Sequence, residues 1–380
     1  MDADELDRRA RVATALIRGG EELVGALEVG DFYQRAAELG KGVLEGAQRA
    51  LAERGGVEPA LDVRPIGEVG PDWLTVRLPP RPALLTRAGK PWLVQGKVGL
   101  LLAPGGTGKT WALAQLAVAV ATGGKWFDTY EATKGRVLLA LGEEDAEEIR
   151  RRLFDVCKAL GLSEYERAEV GRNLTAWGLA GKSVALLGKN AAGEPVPSEW
   201  FGRLKAALEA GGPWRAVLLD PWSRWGGPDV ELDNHCATRG VELLEELTAA
   251  AGGATVLVAH HTRKGGKDEA TSGADADASR GASALVDGAR WVANLVRPKG
   301  DDGKRPLVLR VSKHNHTAPS EPLELVRGED GALRPLTPAE RAELAERDKP
   351  KPKSGKPKGN GSTGADRAAG ADEGDDLDPG

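Results

Sequence analysis

Ala103-Pro104-Gly105-Gly106-Thr107-Gly108-Lys109-Thr110 follows an apolar run at 98–102 and precedes an amphipathic helical stretch that continues to about residue 120. Strand, glycine-rich loop and helix in that order are the setting in which such a loop binds phosphate. The glycines allow backbone torsions that turn successive N–H groups into one concave nest for anionic oxygens. The helix starting near Lys109 adds the positive end of its dipole. Lys109 is expected to reach the β- and γ-phosphates, and the Thr110 hydroxyl to hold Mg²⁺. Ala103 stands where the strict pattern has glycine, and a residue this small still permits the loop. Trp111, next in the chain, is counted with the loop as a nucleotide contact. The expected cofactors are therefore ATP and Mg²⁺.

A P-loop of this kind needs a carboxylate on a buried strand beside it. The run Ala216-Val217-Leu218-Leu219-Asp220 supplies one. Asp220 falls at the carboxyl end of its strand, where ligands collect in open α/β sheets, and is assigned to Mg²⁺. A strand at 137–141 ends in Gly142-Glu143-Glu144-Asp145. A carboxylate at the tip of the strand next to the P-loop strand can polarise the attacking water. Glu143 is the first choice for that base and Glu144 the second. The same acids also suit a helix N-terminus, where negative charge is stabilised, and Asp145, Glu147 and Glu148 fit that bland role well. Another strand, at 255–259, runs into His260-His261. At a strand tip this pair can sense the γ-phosphate. A metal site is disfavoured, because no cysteine or regularly spaced carboxylate accompanies it.

Further strands are expected near 174–177, at 292–296 and at 307–311, the last two antiparallel at the sheet edge. Helices are expected at 147–160, 201–209 and 241–250. Alternating strands and helices specify an α/β fold with a mostly parallel sheet and helices on both faces. Residues 1–60 read as an N-terminal helical region, with Leu16, Leu23, Leu27 and Leu39 at roughly helical spacing. Residues 61–90, rich in Pro, Gly and Arg, read as an extended linker in which Pro79, Pro80 and Pro82 deny regular structure. The ATPase domain is placed at 91–336. A short helix and a disordered charged tail follow at 337–380, basic first and acidic last, too polar to bury a core. The polar loop at 265–281, bracketed by Lys264, Lys267 and Arg280, suits either a channel lining or a plain surface loop.

Composition narrows the class. Hydrophobic residues make up 41% and charged residues 29%, ordinary for a soluble chain. The net charge of −5 excludes an argument for nucleic-acid binding from overall charge. Cys157 and Cys236 are the only cysteines and form no paired motif, which argues against a disulfide framework or zinc site. The acidic, polar start is no signal peptide, and the apolar run at 111–121 is too short to span a bilayer, so the expected location is the cytoplasm, with no membrane partner.

Taken together, A-P-G-G-T-G-K-T, V-L-L-A-L-G-E-E-D, V-L-L-D, V-L-V-A-H-H-T-R-K-G-G, S-R-G-A-S-A-L-V-D-G-A-R-W and V-S-K-H-N-H-T-A-P resemble the RepA-like hexameric replicative helicases of plasmids and phages. These belong to the RecA/DnaB-type ATPase superfamily, and the resemblance covers about 90–326. It implies a RecA-like fold and a homo-hexameric ring with ATP sites between subunits. It also implies single-stranded DNA as a partner; residues 1–60 and the charged tail lie outside the matched pattern, and loading onto DNA or binding a replication initiator or primase are the roles open to them. Carried over residue by residue, Lys109 and Thr110 are the phosphate-loop pair, Glu143 the base, Asp220 the Mg²⁺ acid, and His260 and His261 the sensors. Arg290, just before Trp291, falls where the family has an arginine acting on the neighbouring subunit's ATP, and Lys313 is a second residue in reach of a neighbour. Without the resemblance, Arg290 is an ordinary solvated or salt-bridged arginine. Similar cores occur in RadA-like recombination ATPases, and a slow nucleotide-dependent binding switch is the rival from a different class.

Overall fold

The computed structural model describes residue 70 and residues 72–262, 283–298, 305–317 and 320–347. The chain divides into two units, 1–79 and 80–380, and everything below concerns the second. The expectations for the N-terminal helical region, the loop cations Lys264, Lys267 and Arg280, and the tail beyond Arg347 lie outside the described residues.

In chain order the elements begin with β1 (Ala83–Arg87), β2 (Lys90–Val94), β3 (Val98–Ala103) and α1 (Lys109–Thr122). Next come β4 (Lys125–Trp126), β5 (Tyr130–Ala132), β6 (Val137–Leu141), α2 (Ala146–Ala159), α3 (Glu164–Asn173) and β7 (Leu174–Gly178). The middle holds β8 (Leu187–Lys189), β9 (Pro195–Pro197), α4 (Glu199–Gly211), β10 (Ala216–Asp220), α5 (Trp222–Trp225) and α6 (Asn234–Ala250). The rest are β11 (Thr255–His261), α7 (Ser283–Gly288), β12 (Trp291–Val296), β13 (Leu307–His314), β14 (Leu323–Arg327), β15 (Leu333–Pro335) and α8 (Pro338–Arg347).

The main sheet has nine strands in the order β15-β14-β13-β12-β3-β11-β10-β6-β7. From β12 to β7 all neighbours are parallel, and from β12 to β15 they are antiparallel. This is the mostly parallel α/β sheet expected from the sequence. β3, β6 and β10 are buried along their whole length, as strands covered on both faces must be. Their side chains alternate between two cores. Leu101, Leu139 and Leu218 face α1, whereas Leu100, Leu138 and Val217 face the layer of α4 and α6. Helices therefore cover both faces.

Three differences from the sequence reading have physical causes. The helix after the phosphate loop was expected to be amphipathic, yet α1 is buried continuously from Ala112 to Ala121. A second, four-stranded sheet, β2-β1-β5-β4, contributes Leu84, Trp92, Trp126 and Tyr130 to the same core as α1. The Trp126 indole even donates to Ala112 O at 2.9 Å. A helix covered on several sides has no polar face to show. The second difference is β1, which lies inside the stretch read as linker. Its prolines only precede it, and Pro82 O accepts from Gln95 N at 2.8 Å across the hairpin with β2. Third, β12 and β13 pair antiparallel as expected, but β12 is parallel to β3, and β14 and β15 extend the sheet beyond β13.

Candidate nucleotide site

The loop between β3 and α1 is set by two glycines with positive φ, Gly106 at 75° and Gly108 at 106°. Gly108 is the N-cap of α1 and provides no side-chain cap, so the first N–H groups of the helix face the loop's concavity. Thr107 closes the loop on itself by donating from Oγ1 to Pro104 O at 2.8 Å.

Lys109 is only 5% exposed. Its ammonium donates to Ala103 O at 2.8 Å and Pro104 O at 3.1 Å. It also lies 3.0 Å from His261 Nδ1, a donor contact when that ring carries its proton on Nε2. Burial lowers the lysine from 10.5 to about 8, against the opposing pull of Asp220 and Glu143. The charge is costly where it sits, and an anion brought beside it would be strongly favoured.

Thr110 and Asp220 meet at the tips of α1 and β10, with Thr110 Oγ1 donating to Asp220 Oδ2 at 2.6 Å. Burial raises the Asp220 carboxyl above its usual range, partly offset by the Thr110 bond and by Lys109. One hydroxyl and one carboxylate are hard oxygen donors of the kind Mg²⁺ takes when phosphates supply further ligands. Among the described residues no group of three or more His, Cys, Asp or Glu could hold a metal ion. The nest, the buried ammonium and this oxygen pair all suit Mg-ATP.

The acids after β6 need one correction. β6 is not beside the phosphate-loop strand: β11 and β10 stand between them. Glu143 still reaches the site, because β6 and β10 are neighbours and Gly142 N donates to Asp220 O at 2.7 Å. Glu143 is near enough for its charge to act on Lys109 and Asp220. Its other neighbour is Arg224, with Nε 3.6 Å from Oε1. Gly142 makes room for that arginine, since a Cβ there would stand 2.9 Å from the Arg224 Cβ. Glu144 is engaged elsewhere, paired with Arg152 at 2.6 Å, and burial raises its carboxyl against the pull of Arg152. Asp145 caps α2 by accepting from Glu148 N at 2.8 Å. The bland helix-start role therefore goes to Asp145, and Glu143 keeps its carboxylate within electrostatic reach of Lys109 and Asp220.

The histidines end β11 beside β3, with His260 opposite Leu102 and His261 opposite Ala103. They occupy different environments. His261 is exposed and touches Lys109. His260 is 5% exposed, and burial, aided by His261 and Lys109, lowers it to about 4. It is therefore neutral at pH 7, and its 3.7 Å approach to Glu231 is neither an ion pair nor a hydrogen bond.

Arg290 lies elsewhere. Its backbone N–H donates to Val98 O at 2.9 Å, at the start of β3, whereas the phosphate loop follows the other end. Five residue steps of strand separate the two ends, about 16 Å, so Arg290 does not belong to its own chain's phosphate site. Lys313 shares its neighbourhood but is committed within the chain, donating to Val286 O at 3.0 Å and Asp287 O at 2.6 Å. Trp111 lies partly buried at the first turn of α1, with Arg152 and Arg327 each within 6 Å of its ring. Sequence reading missed Arg152, Arg224 and Arg327. Arg224, four residues after Asp220, had a spacing that could have been noticed. The other two become neighbours of the site only through folding.

The AAA domain family matches residues 64–267, more than half of the 380-residue chain. The chain belongs to that family. Its AAA domain is thus a P-loop ATPase domain carrying the phosphate loop, Asp220 and the acids after β6. Among solved structures, the "ATPase Domain of G40P" is similar over 64% of this chain and 86% of that chain, at 14% identity and a TM-score of 0.44. Among the described residues no helix is long and apolar enough to cross a membrane.

Proposed function

We propose that this AAA domain hydrolyses Mg-ATP to drive a homo-hexameric ring along single-stranded DNA, as a DNA helicase of plasmid, phage or mobile-element replication in the cytoplasm. The observation that carries the ring is the placement of Arg290. It stands exposed at the opposite end of β3 from its own phosphate loop, which supports a role at another copy's nucleotide over one at its own. Head-to-tail contacts of that kind generate a ring where the rotation closes and an open filament where it does not, and the ring is the reading proposed.

Within one site the division of labour follows the geometry. The loop N–H groups from Pro104 to Trp111 other than proline's hold the phosphates, with Lys109 as the buried cation. Thr110 and Asp220 would hold Mg²⁺, which would supply charge neutralisation to the phosphates. Glu143 takes the proton from the attacking water, and His261, touching Lys109, passes the state of the γ-phosphate to β11. His260 anchors that strand in the interior. Residues 1–60 are the proposed dock for an initiator or primase.

The test is the ATPase rate of the full chain with and without single-stranded DNA, at low and moderate salt. Strong stimulation that falls with salt, together with unwinding of a forked duplex, supports the motor. Pairing of homologous strands without unwinding would point to a recombination ATPase. A rate indifferent to DNA would leave a slow nucleotide-dependent switch. Loss of turnover in Lys109→Ala, with the fold retained, is required in every case.

A further inference from the structure

Among the described residues Arg224 is the one cation within ion-pair distance of Glu143. It belongs to α5, which starts two residues after Asp220. Trp222 and Trp225 of that helix are fully buried, in the core shared with Val217 and Leu219 of β10. The backbone is tied as well: Gly226 N donates to Trp222 O at 2.7 Å, Arg224 N to Pro221 O at 3.0 Å, and Leu186 N to Trp225 O at 2.6 Å. With both indoles inward, Ser223 and Arg224 are left exposed. An apolar anchor thus fixes where the arginine starts.

Its stem then crosses the end of β6. A Cβ on Gly142 would stand 2.9 Å from Arg224 Cβ and 3.3 Å from Arg224 Cγ, closer than a larger residue could sit without moving the arginine. The two chain segments are held at that spacing by the bond from Gly142 N to Asp220 O. The guanidinium reaches the residue after Gly142, with Nε 3.6 Å from Glu143 Oε1. That is ion-pair distance and not a hydrogen bond. The side chains are 54% and 50% exposed, and a pair so open to water adds little to stability. Folding therefore gives no reason for the arrangement.

The surroundings of Glu143 give one. Its charge is felt by Lys109, by Asp220 and by Glu144, one cation and two acids. A half-exposed carboxylate in a field of mixed sign has several orientations open to it, whereas a general base must hold one. A guanidinium fixed on α5 selects it. We propose that Arg224 is a positioning residue for hydrolysis, which orients the Glu143 carboxylate for the attacking water and neither touches the phosphates nor takes the proton. This rests on the role proposed above for Glu143.

The experiment compares the full chain with Arg224→Ala, Arg224→Gln, Arg224→Lys, Glu143→Gln and the double variant Arg224→Ala/Glu143→Gln. It reads kcat and KM for Mg-ATP, single-turnover hydrolysis and the urea midpoint. Arg224→Ala and Arg224→Gln are expected to lower kcat about tenfold, within what a small misplacement of a reacting group costs, with KM and the urea midpoint unchanged. Arg224→Lys keeps the charge and is expected to recover most of the rate. In the Glu143→Gln background, Arg224→Ala is expected to slow single turnover no further, because a residue acting only through Glu143 has nothing left to position. The proposal is overturned if Arg224→Ala and Arg224→Gln keep the wild-type kcat. It is overturned equally if the loss is as large in the Glu143→Gln background, which would put Arg224 on the phosphates, or if the rate falls in step with the urea midpoint, which would make the role structural. Arg224→Gln keeps the stem over Gly142 and decides the matter should Arg224→Ala not fold. Failure of the underlying reading looks different: Glu143→Gln alone, or Lys109→Ala, would turn over like wild type.

Discussion

The buried ammonium of Lys109 makes nucleotide binding depend on pH in a way that can be worked out in advance. Burial brings this lysine from 10.5 to about 8, a change equivalent to about 3 kcal/mol. The free protein therefore loses the Lys109 proton as pH rises through about 8. A bound triphosphate keeps the proton in place, because opposite charge at short range favours the ammonium. Binding must then recover a proton above that pH, and the dissociation constant of Mg-ATP is expected to rise about fivefold between pH 8 and 9 and about tenfold over the next unit. Folding responds with the opposite sign. Between about 8 and 10.5 the unfolded chain holds the Lys109 proton and the folded chain does not, so this group makes the nucleotide-free fold more stable as pH rises. Weaker binding with an intact fold is the combined signature, which separates the effect from alkaline unfolding. The assay is displacement of a fluorescent nucleotide from wild type and Lys109→Arg across this range, with urea unfolding of the free protein alongside. The arginine keeps its charge throughout, so its profile should be flat. A flat wild-type profile, or an equal fall in Lys109→Arg, would refute the assignment of the limb to Lys109.

Three more outcomes follow from the geometry. Glu143→Gln should bind Mg-ATP normally and lose turnover about a hundredfold or more in single-turnover assays, within the range general-base removal produces; the same phenotype in Glu144→Gln with an active Glu143→Gln would move the base one residue along. Arg290→Ala and Lys109→Ala, each inactive alone, should regain part of the ATPase when mixed, because one subunit supplies the arginine and the other the phosphate loop. No rescue at any ratio, in assemblies shown to be mixed, would count against a trans role. Gln115→Leu should lower stability by about 3 kcal/mol, since it leaves the buried N–H and C=O of Leu333 without partners; an unchanged urea midpoint would mean that the amide clamp carries no weight.

Much of the phosphate site was legible because its chemistry is local. Ala103 to Thr110 must turn, present N–H groups and start a helix, and all of that is written in adjacent residues. Asp220 was also readable, as an acid closing an unbroken apolar strand. Which arginine Glu143 and Glu144 each meet was not readable, because both partners come from other elements. Arg152 reaches back from α2 to Glu144, and Arg224 comes from α5 to Glu143. The position of β6 was misjudged for a related reason: order along the chain does not set order in the sheet, and two later strands insert beside β3.

By itself, then, the sequence determined the α/β class, the glycine-rich loop between strand and helix, and the acid that ends β10, since period and spacing are properties of neighbouring residues. Only the tertiary structure decided that α1 is buried on nearly every side, that His260 is buried while His261 is exposed, and that Arg290 lies at the far end of β3. It alone brought Gln115, Trp111 and Gly331 together, across more than two hundred residues. Those outcomes depend on which surfaces are removed from water together, and close packing sets that for the whole domain at once.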